Sequence, residues 1–323
     1  MKVEEVIRKM NIFGASNEPF IFAFDYELEN GFIYDNPLEQ KNIFWRIGNC
    51  GNYNLLDRDK GMKGTFFKSI PVAKSSYEHK FNSVHEQLMA GNSFLLNLTI
   101  KTPIMTDYSL NEIFSRSNAQ YNILFPEKFV CFSPETFVRI KEGKIYSYPM
   151  KGTIKDDEPD AENIILSSYK ESSEHYTIVD FIRNDLAMVS NSVKVERLRY
   201  IDRLCTTNGN ILQVSSEISG MLDDNWHERI GNIIYRLLPA GSIAGAPKES
   251  SVNIIQNAEK ENRGYYTGIF GYYDGKELDS AVMIRFIEND YGKLFFRSGG
   301  GITINSDMES EYKEVTDKAY LPF

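Results

Sequence analysis

The chain has 323 residues, of which 42% are hydrophobic and 25% are charged, and its formal net charge at pH 7 is −9. This length allows a large buried core, and the composition is that of a globular protein. The acidic balance argues against a nucleic-acid-binding protein, which carries an excess of basic residues, but local basic residues can still bind an anionic substrate.

The predicted elements are mainly strands in the first half of the chain and mixed strands and helices in the second. Alternation of apolar positions with β-branched and aromatic content predicts strands over 19–28, 64–72, 93–104, 128–140, 144–150, 265–275, 279–290 and 293–305. Helical spacing of apolar residues predicts helices over 75–90, 161–189, 226–238, 248–260 and 308–321. Since the strands pair mainly with sequence neighbours, we expect an α+β fold of antiparallel sheet with helices outside, in a single domain over residues 1–323.

The sequence predicts neither a targeting signal nor a cysteine framework. No apolar run reaches the length of about eighteen residues that spans a membrane, and the first twenty residues lack the apolar segment of a signal peptide. We therefore expect a cytoplasmic protein with no membrane partner. Cys50, Cys131 and Cys205 are widely separated and odd in number, so we expect three buried or partly buried thiols rather than disulfides or metal ligands.

Two segments rich in small residues are candidates for anion binding. The glycines of SGGGI (298–302) close a strand, where backbone N–H groups can approach an anion closely, although a bulge or tight turn is the more common explanation of such a run. PAGSIAGAPKES (239–250) leads into a helix N-terminus, which attracts anions, but it lacks the glycine spacing and GK[ST] ending of a Walker A loop.

Acidic residues at helical spacing are candidates for a metal site. Glu311 and Glu314 lie on one face of the last helix, and Glu174 starts the long central helix. Mg²⁺ is bound by one or two carboxylates with waters and substrate oxygens, whereas solvated helix faces are the alternative explanation. None of the four histidines has a metal-ligand spacing, and only His175, which follows Glu174, stands out from surface or core packing.

A lysine in the segment PMKGT (149–153) has two interpretations. Proline fixes φ and glycine permits unusual backbone shapes, so the segment predicts a strand that ends in a tight turn. Lys151 is then either an ordinary solvated charge or a side chain that the turn directs into a pocket.

Seven segments in a shared order resemble the chorismate-utilising enzymes, and most closely component I of the aminodeoxychorismate synthases. They are FSPETF (132–137), PMKGT (149–153), SSEHYTIVDFIRNDLAMV (172–189), PAGSIAGAPK (239–248), NRGYYTGIFGYY (262–273), MIRF (283–286) and SGGGITINSDMESEYKEVTDKA (298–319). The resemblance implies a single domain of two large antiparallel sheets stacked with helices on the outside. It also implies a shortened N-terminal portion over residues 1–74 and a catalytic core over residues 75–323.

The resemblance implies that the substrate is chorismate, a dianion, bound with Mg²⁺. Glu174 and Glu314 are implied metal ligands, with Glu311 reaching the ion through water. Tyr266 and Arg285 are implied to hold the enolpyruvyl carboxylate, which the planar fork of arginine suits. The remaining implied substrate-binding residues are Gly152, Thr153, Gly299, Gly300, Gly301 and Lys318.

The resemblance further implies covalent catalysis by Lys151, which adds at ring C2 as the C4 hydroxyl leaves, after which ammonia adds at C4. This role requires a lysine whose pKa is lowered by desolvation, and it implies Glu135 as a general acid held partly protonated. Leu95 stands where isochorismate and salicylate synthases carry a lysine that activates water, so those activities are not expected.

The product and partners are also implied by the resemblance. Gln213 takes the place of a histidine of anthranilate synthases, which favours a product that keeps its enolpyruvyl group and is converted by a separate aminodeoxychorismate lyase to 4-aminobenzoate for folate. Ammonia is expected from a separate glutamine amidotransferase subunit. Without a counterpart of the inhibitor-binding motif LLES, control by tryptophan is not expected.

Two alternatives stay open from the sequence. One is anthranilate synthase component I, which aminates at C2 and releases pyruvate. The other is a chorismate-binding regulatory protein without turnover. The intact set of Glu135, Lys151, Glu174 and Glu314 argues against it, because a protein that only binds has no use for an acid and a nucleophile.

Overall fold

The computed structural model describes residues 1–56, 64–206 and 209–323, except for the side chains of residues 170, 204–206 and 209. These residues form nine α-helices, with 3₁₀ helices at Tyr53–Leu55 and Trp226–Arg229. The α-helices are α1 (Val3–Ala15), α2 (Lys74–Met89), α3 (Leu110–Arg116), α4 (Ala161–Ser167), α5 (Tyr169–Ala187), α6 (Ile230–Arg236), α7 (Gly241–Ala244), α8 (Lys248–Glu259) and α9 (Met308–Asp317).

Eighteen strands of the described residues form two antiparallel sheets. The strands are β1 (Phe20–Phe24), β2 (Gly31–Asp35), β3 (Phe44–Ile47), β4 (Cys50–Gly51), β5 (Phe67–Ser69), β6 (Leu95–Thr106), β7 (Tyr121–Phe125), β8 (Phe129–Ser133), β9 (Thr136–Lys141), β10 (Lys144–Ser147), β11 (Met150–Lys155), β12 (Asn191–Thr206), β13 (Gly209–Met221), β14 (Gly245–Ala246), β15 (Ile269–Tyr273), β16 (Leu278–Val282), β17 (Phe286–Asp290) and β18 (Lys293–Thr303). The first sheet has the order β11-β13-β10-β9-β16-β15-β1-β2, with β12 beside β13. The second has the order β14-β6-β18-β17-β8-β7-β3-β4, with β5 beside β6.

The layering of the fold follows from the alternation of side chains along the strands. In β1, Phe20, Phe22 and Phe24 pack with α1 and α6, whereas Ile21 and Ala23 pack between the two sheets. On the far side, α2, α8 and α9 cover the outer face of the second sheet. The order is therefore helices, sheet, sheet, helices, which confirms the predicted α+β class with two large antiparallel sheets.

Two segments that were each predicted as one strand divide in the structure into a pair of strands, one in each sheet. Segment 128–140 divides into β8 in the second sheet and β9 in the first, and segment 279–290 divides into β16 in the first sheet and β17 in the second. We call the short segments 134–135 and 283–285, where the chain passes from one sheet to the other, the two crossovers. The prediction of continuous strands was wrong because the alternation of apolar and polar residues continues through each crossover. The N–H of Val282 donates to the Glu135 carbonyl at 3.1 Å, and the N–H of Phe132 donates to the Arg285 carbonyl at 3.0 Å. These bonds join the two crossovers side by side.

The predicted helix over 161–189 is two helices, because Ser168 interrupts it. The Ser168 hydroxyl accepts a hydrogen bond from the Glu171 N–H at 3.3 Å and caps α5, whose first residue is Tyr169. Glu174 therefore lies in the second turn and does not start the helix. Segment 226–238 likewise begins as a 3₁₀ helix before α6, and strand 144–150 ends at Ser147 before β11 begins.

The glycine run does not close a strand, contrary to prediction. Residues 299–301 lie inside β18, where Gly299, Gly300 and Gly301 pair with Thr99, Leu98 and Asn97 of β6. Their backbone groups therefore belong to the hydrogen-bonded pairing of β18 with β6 in the second sheet. Because glycine has no side chain, the run leaves open space on both faces of the sheet at this point.

Several elements were not predicted from the sequence. They are α1, α3, β2, β3, β7 and the long β12–β13 hairpin, whose partly exposed strands lack strict alternation. Cys131 is buried and Cys50 is half-buried, as expected, while the Cys205 side chain lies outside the described part of the chain. Within the described ranges, no helix has the length and apolar character needed to cross a membrane.

Candidate active site

A cavity of about 260 Å³ lies where the two crossovers meet β11, β18, one face of α5 and the C-terminal half of α9. The structure brings most of the predicted site residues together around it. Those in its wall are Leu95, Glu135, Lys151, Glu174, Tyr266, Arg285, Gly299, Gly300, Gly301, Glu314 and Lys318. Gly152, Thr153 and Glu311 are not in the wall: the first two continue along β11, and Glu311 lies behind Gly300.

Lys151 lies in a β-bulge. Strand β11 pairs with β13 at Met150–Ser215 and again at Thr153–Gln213, so β11 contains one extra residue between these pairs. Gly152 has φ of +87°, a backbone conformation that glycine adopts readily. Bulges of this kind re-aim a side chain, and here the Lys151 amine enters the cavity, 2.8 Å from Glu174 Oε2. The lysine is thus directed into a pocket rather than left as a solvated charge.

The pKa of Lys151 does not follow the prediction. Burial lowers it, but the Glu174 carboxylate and the more distant Glu171 and Glu314 outweigh burial, so the pKa is raised above its ordinary value. The prediction of a lowered pKa was wrong because the sequence did not reveal that Lys151 and Glu174 form an ion pair. In this arrangement the amine is protonated.

Glu135 lies at the first crossover, half-buried in the wall of the cavity. The Ser242 hydroxyl donates to its Oε1 at 2.5 Å. Burial raises the pKa of Glu135, while Ser242, Arg285 and Lys318 act in the opposite direction, and the net pKa is raised. The carboxyl therefore holds its proton at higher pH than an ordinary glutamate, which suits a general acid.

Positive charge is concentrated on one side of the cavity by two basic residues. Arg285 lies at the second crossover with φ of +54°, a strained conformation for a non-glycine residue, and its guanidinium lies 5.3 Å from the Tyr320 ring. Lys318 donates to the Gly299 carbonyl at 2.8 Å and to Glu314 at 2.6 Å. Burial lowers the Lys318 pKa below its ordinary value although Glu314 opposes this shift. Such a cluster can bind an anion despite the acidity of the whole chain.

The carboxylates near Gly300 have the donor chemistry of a magnesium site. Glu311 Oε2 and Glu314 Oε1 lie 3.3 and 3.8 Å from the position that a Cβ on Gly300 would occupy, so the glycine leaves room where these carboxylates meet. Glu174 faces the same cavity. Oxygen donors of this kind fit Mg²⁺. Among residues 1–56, 64–206 and 209–323, however, no three His, Cys, Asp or Glu side chains converge as a formed metal site.

Leu95 and Gln213, the two positions at which the sequence differs from isochorismate and anthranilate synthases, are placed differently relative to the cavity. Leu95 lies in its wall, with Cδ1 3.3 Å from the position of a Cβ on Gly301, and Lys151 Nζ lies 3.7 Å from the same position. Both side chains therefore face the space beside Gly301. Gln213 pairs with Thr153 in the first sheet and does not line the cavity.

Sequence reasoning missed Ser242 and a buried ion pair that supports the site. Arg263 and Glu259 are both 1% exposed and are joined by hydrogen bonds of 2.7 and 2.9 Å. Arg263 also donates to the carbonyls of Asn97 and Ile243 at 2.6 and 3.1 Å. It thus ties β6 to α7, the helix that carries Ser242. The sequence signals were that Ser242 lies in PAGSIAGAPKES (239–250) and that Arg263 lies in NRGYYTGIFGYY (262–273).

Residues 56–322 match the family described as chorismate binding enzyme, and the chain belongs to that family of chorismate-utilising enzymes. It is 49% identical over 323 residues to an uncharacterised PabA-like protein of Haemophilus influenzae, covering 99% of this chain and 97% of the relative. It is 28% identical over 267 residues to aminodeoxychorismate synthase component 1 of Bacillus subtilis, covering 78% of this chain and 56% of the relative.

The fold is also similar to a solved member of the family. Anthranilate synthase component I from Streptococcus pneumoniae superposes with a TM-score of 0.67 at 25% identity, covering 81% of this chain and 60% of the solved chain. The implied fold of two stacked antiparallel sheets therefore holds for this protein.

Proposed function

We propose that the protein aminates chorismate at C4 with ammonia, giving 4-amino-4-deoxychorismate for 4-aminobenzoate and folate biosynthesis. The observation that carries this proposal is the Lys151 amine in the cavity beside Leu95, with Glu135 in the same wall. A nucleophile and an acid around one cavity suit a substitution on the substrate ring, and a leucine next to the amine offers no base to activate water. The similarity to aminodeoxychorismate synthase component 1 of Bacillus subtilis supports amination of chorismate.

The proposed reaction has two substitution steps. In the first, the neutral Lys151 amine forms a bond to ring C2, the ring double bonds shift, and the C4–oxygen bond breaks as Glu135 gives its proton to the departing hydroxyl, which leaves as water. In the second, ammonia forms a bond to C4, the double bonds shift back, and the C2–nitrogen bond breaks. The lysine nitrogen, a secondary ammonium while it is bonded to C2, leaves as the neutral amine, and the C4 ammonium gives its extra proton to the Glu135 carboxylate, which restores the acid. Because the protonated Lys151 amine is paired with Glu174 at 2.8 Å, it must leave this ion pair and give up a proton to solvent before it can add.

Substrate binding is assigned to the basic side of the cavity. Arg285 and Tyr266 hold the enolpyruvyl carboxylate, aided by backbone N–H groups of the glycine run, and Lys318 adds positive charge. Glu174 and Glu314, with Glu311 behind them, are the residues that would hold Mg²⁺. When bound, this ion would neutralise the ring carboxylate of chorismate.

The source of ammonia and the fate of the product complete the proposal. A separate glutamine amidotransferase subunit supplies ammonia, and an aminodeoxychorismate lyase acts on the product. A single domain over residues 1–323 and a cytoplasmic location stay predictions.

One incubation tests the proposal. The purified protein is given chorismate, Mg²⁺ and ammonium, with and without an aminodeoxychorismate lyase. We expect 4-aminobenzoate only when the lyase is added. Formation of 2-aminobenzoate without the lyase would instead identify an anthranilate synthase, and unchanged chorismate would identify a binding protein without turnover.

A further inference from the structure

Ser242 contacts the acid of the proposed reaction but has no assigned part in it. Its hydroxyl donates to Oε1 of Glu135 at 2.5 Å, and both side chains lie in the wall of the cavity. The other carboxyl oxygen, Oε2, makes no hydrogen bond with the described residues and is not enclosed by them. The two oxygens of Glu135 therefore differ, because Ser242 holds Oε1 while Oε2 stays accessible.

The main chain that carries Ser242 is fixed by three neighbours. Arg263, which is 1% exposed, donates to the Ile243 carbonyl at 3.1 Å. Strand β14, which directly follows α7, pairs with β6. Gly241 lies so close to α5 that a Cβ at this position would be 2.0 Å from Cε1 of Phe181. The segment that presents the hydroxyl is therefore held on three sides.

Glu135 differs from Ser242, because its main chain is fixed while its long side chain can rotate. The N–H of Glu135 donates to the Ser133 hydroxyl oxygen at 3.1 Å, and its carbonyl accepts the N–H of Val282 at 3.1 Å. The side-chain bonds between Cα and the carboxyl group have several favoured rotamers. The hydrogen bond from Ser242 selects one orientation of the carboxyl group, with Oε1 toward α7.

The direction of this hydrogen bond also places the acidic proton. Because Ser242 donates, Oε1 offers a lone pair, and in the neutral carboxyl group the proton lies on Oε2. When Glu135 gives up this proton, the same bond joins a hydroxyl to a carboxylate. Hydrogen bonds to a charged partner are roughly twice as strong as those between neutral groups. Ser242 therefore stabilises the carboxylate more than the neutral acid.

We propose that Ser242 is a positioning residue that directs Oε2 of Glu135 toward the substrate and makes Oε2 the oxygen that transfers the proton. This inference rests on the proposed function. In the first step the proton on Oε2 passes to the C4 hydroxyl, which leaves as water, while the electron pair of the O–H bond stays on Oε2. In the second step Oε2 takes the extra proton of the C4 ammonium. Ser242 keeps its bond to Oε1 throughout and touches neither substrate nor reacting atoms.

Two substitutions at this position test the role through kinetics. Ser242→Ala removes the hydroxyl, and we expect kcat to fall about 10- to 100-fold, because the acid is misplaced and its carboxylate is less stabilised. The Kd of chorismate, measured by titration calorimetry without ammonium, should change by less than about twofold. Ser242→Thr keeps a hydroxyl and should keep kcat within about threefold of the wild type. Equal losses of kcat in the two variants, or a loss confined to chorismate affinity, would overturn the proposal.

Ser219 provides a matched control, because its hydroxyl also donates to a glutamate, Glu196, at 2.6 Å, and neither residue lines the cavity. Ser219→Ala therefore removes the same kind of hydrogen bond elsewhere in the fold and should leave kcat unchanged. A fall in kcat as large as that of Ser242→Ala would show that the loss comes from a general loosening of the fold, which would overturn the positioning role.

A second readout needs no chorismate. Crystal structures of the wild type and Ser242→Ala, each without ligand, should differ in the orientation of the Glu135 carboxyl group while the main chain of residues 134–135 stays in place. A carboxyl group that keeps its orientation in Ser242→Ala would overturn the proposal. A reoriented carboxyl group together with no amination by the wild type would overturn the proposed function alone.

If Ser242→Ala does not fold, Ser242→Cys replaces it in both measurements. A thiol donates only weakly, so kcat should fall at least about threefold and the Glu135 carboxyl group should turn. Full kcat with an unmoved carboxyl group in Ser242→Cys would overturn the proposal.

Discussion

The backbone N–H of Val282 donates to the carbonyl of Glu135 across 3.1 Å, at the point where two chain segments pass between the sheets. Each segment carries a residue assigned to the reaction: Glu135 in one and Arg285 in the other. Their position at adjacent crossovers explains how side chains separated by 150 positions of sequence face one cavity.

Lys151→Ala should abolish ammonia-dependent amination, with kcat falling at least about a thousandfold, because removal of a covalent nucleophile leaves only binding and orientation. Product is measured with a coupled lyase. Lys155→Ala, an exposed lysine of the same strand, is the matched control and should keep full activity. Full activity in Lys151→Ala would contradict the covalent role while leaving the substrate-binding assignment intact.

Glu135→Gln should lower kcat about 10²- to 10⁴-fold, which is the range for loss of a general acid. The Kd of chorismate, measured by titration calorimetry, should change little. Because the pKa of Glu135 is raised, the activity of the wild type should fall only at a pH above the range of an ordinary carboxyl. A falling limb near pH 4 to 5 would argue against Glu135 as the acid.

The same substitution should stabilise the fold at neutral pH. Since burial raises the Glu135 pKa in the folded state from its ordinary value of 4.5, its favourable contribution is present below pH 4.5 and is lost as pH rises through the raised value. Glu135→Gln avoids this loss. Thermal unfolding should show a higher Tm than the wild type at pH 7, and the difference should shrink below pH 4.5. A difference that does not vary with pH would contradict this linkage.

Arg285→Lys should raise the KM for chorismate about 10- to 100-fold, because lysine cannot form the paired hydrogen bonds that arginine makes with a carboxylate. The kcat should change less than KM. Arg229→Lys is the matched control, since Arg229 lies outside the cavity, where it forms an exposed ion pair with Asp223 and a hydrogen bond with Asn225. An unchanged KM in Arg285→Lys would place the enolpyruvyl carboxylate elsewhere in the cavity.

Glu174→Gln and Glu314→Gln should each weaken Mg²⁺ binding by at least about tenfold. Removal of a residue that only supports a metal ligand lowers metal affinity by about this factor, and removal of a ligand itself should lower it at least as much. Titration calorimetry with MgCl₂ measures this directly. Glu309→Gln, on the same helix as Glu314 but paired with the exposed Lys74, should bind Mg²⁺ like the wild type. Equal affinities in all three variants would contradict the assigned ligands.

Glu259→Gln should destabilise the fold by about 3–5 kcal/mol, because it leaves the buried Arg263 guanidinium without its counter-charge. Urea unfolding gives the change in free energy. The double variant Glu259→Gln with Arg263→Met should lose less stability than Glu259→Gln alone, since it removes the uncompensated charge. A larger loss in the double variant would show that Arg263 acts mainly through its backbone contacts.

Local pattern was sufficient to predict the fold class and many elements, because strand alternation and helical spacing depend on neighbouring residues. The segment motifs also indicated most of the residues that surround the cavity. The crossovers at Glu135 and Arg285 could not be predicted, since alternation is the same on both sides of each crossover. The Lys151–Glu174 ion pair was equally hidden, because it depends on how β11 packs against α5.

The arrangement of the crossovers makes the spacing of the two sheets a determinant of the active site. Glu135 and Arg285 are fixed where the chain passes from sheet to sheet, so the width of the cavity depends on the apolar layer between them, which includes Trp45 and Phe270. A change of side-chain volume in that layer would alter the distance between acid and arginine without touching either. We therefore expect substitutions at Trp45 or Phe270 to change the width of the cavity, although neither residue lines it.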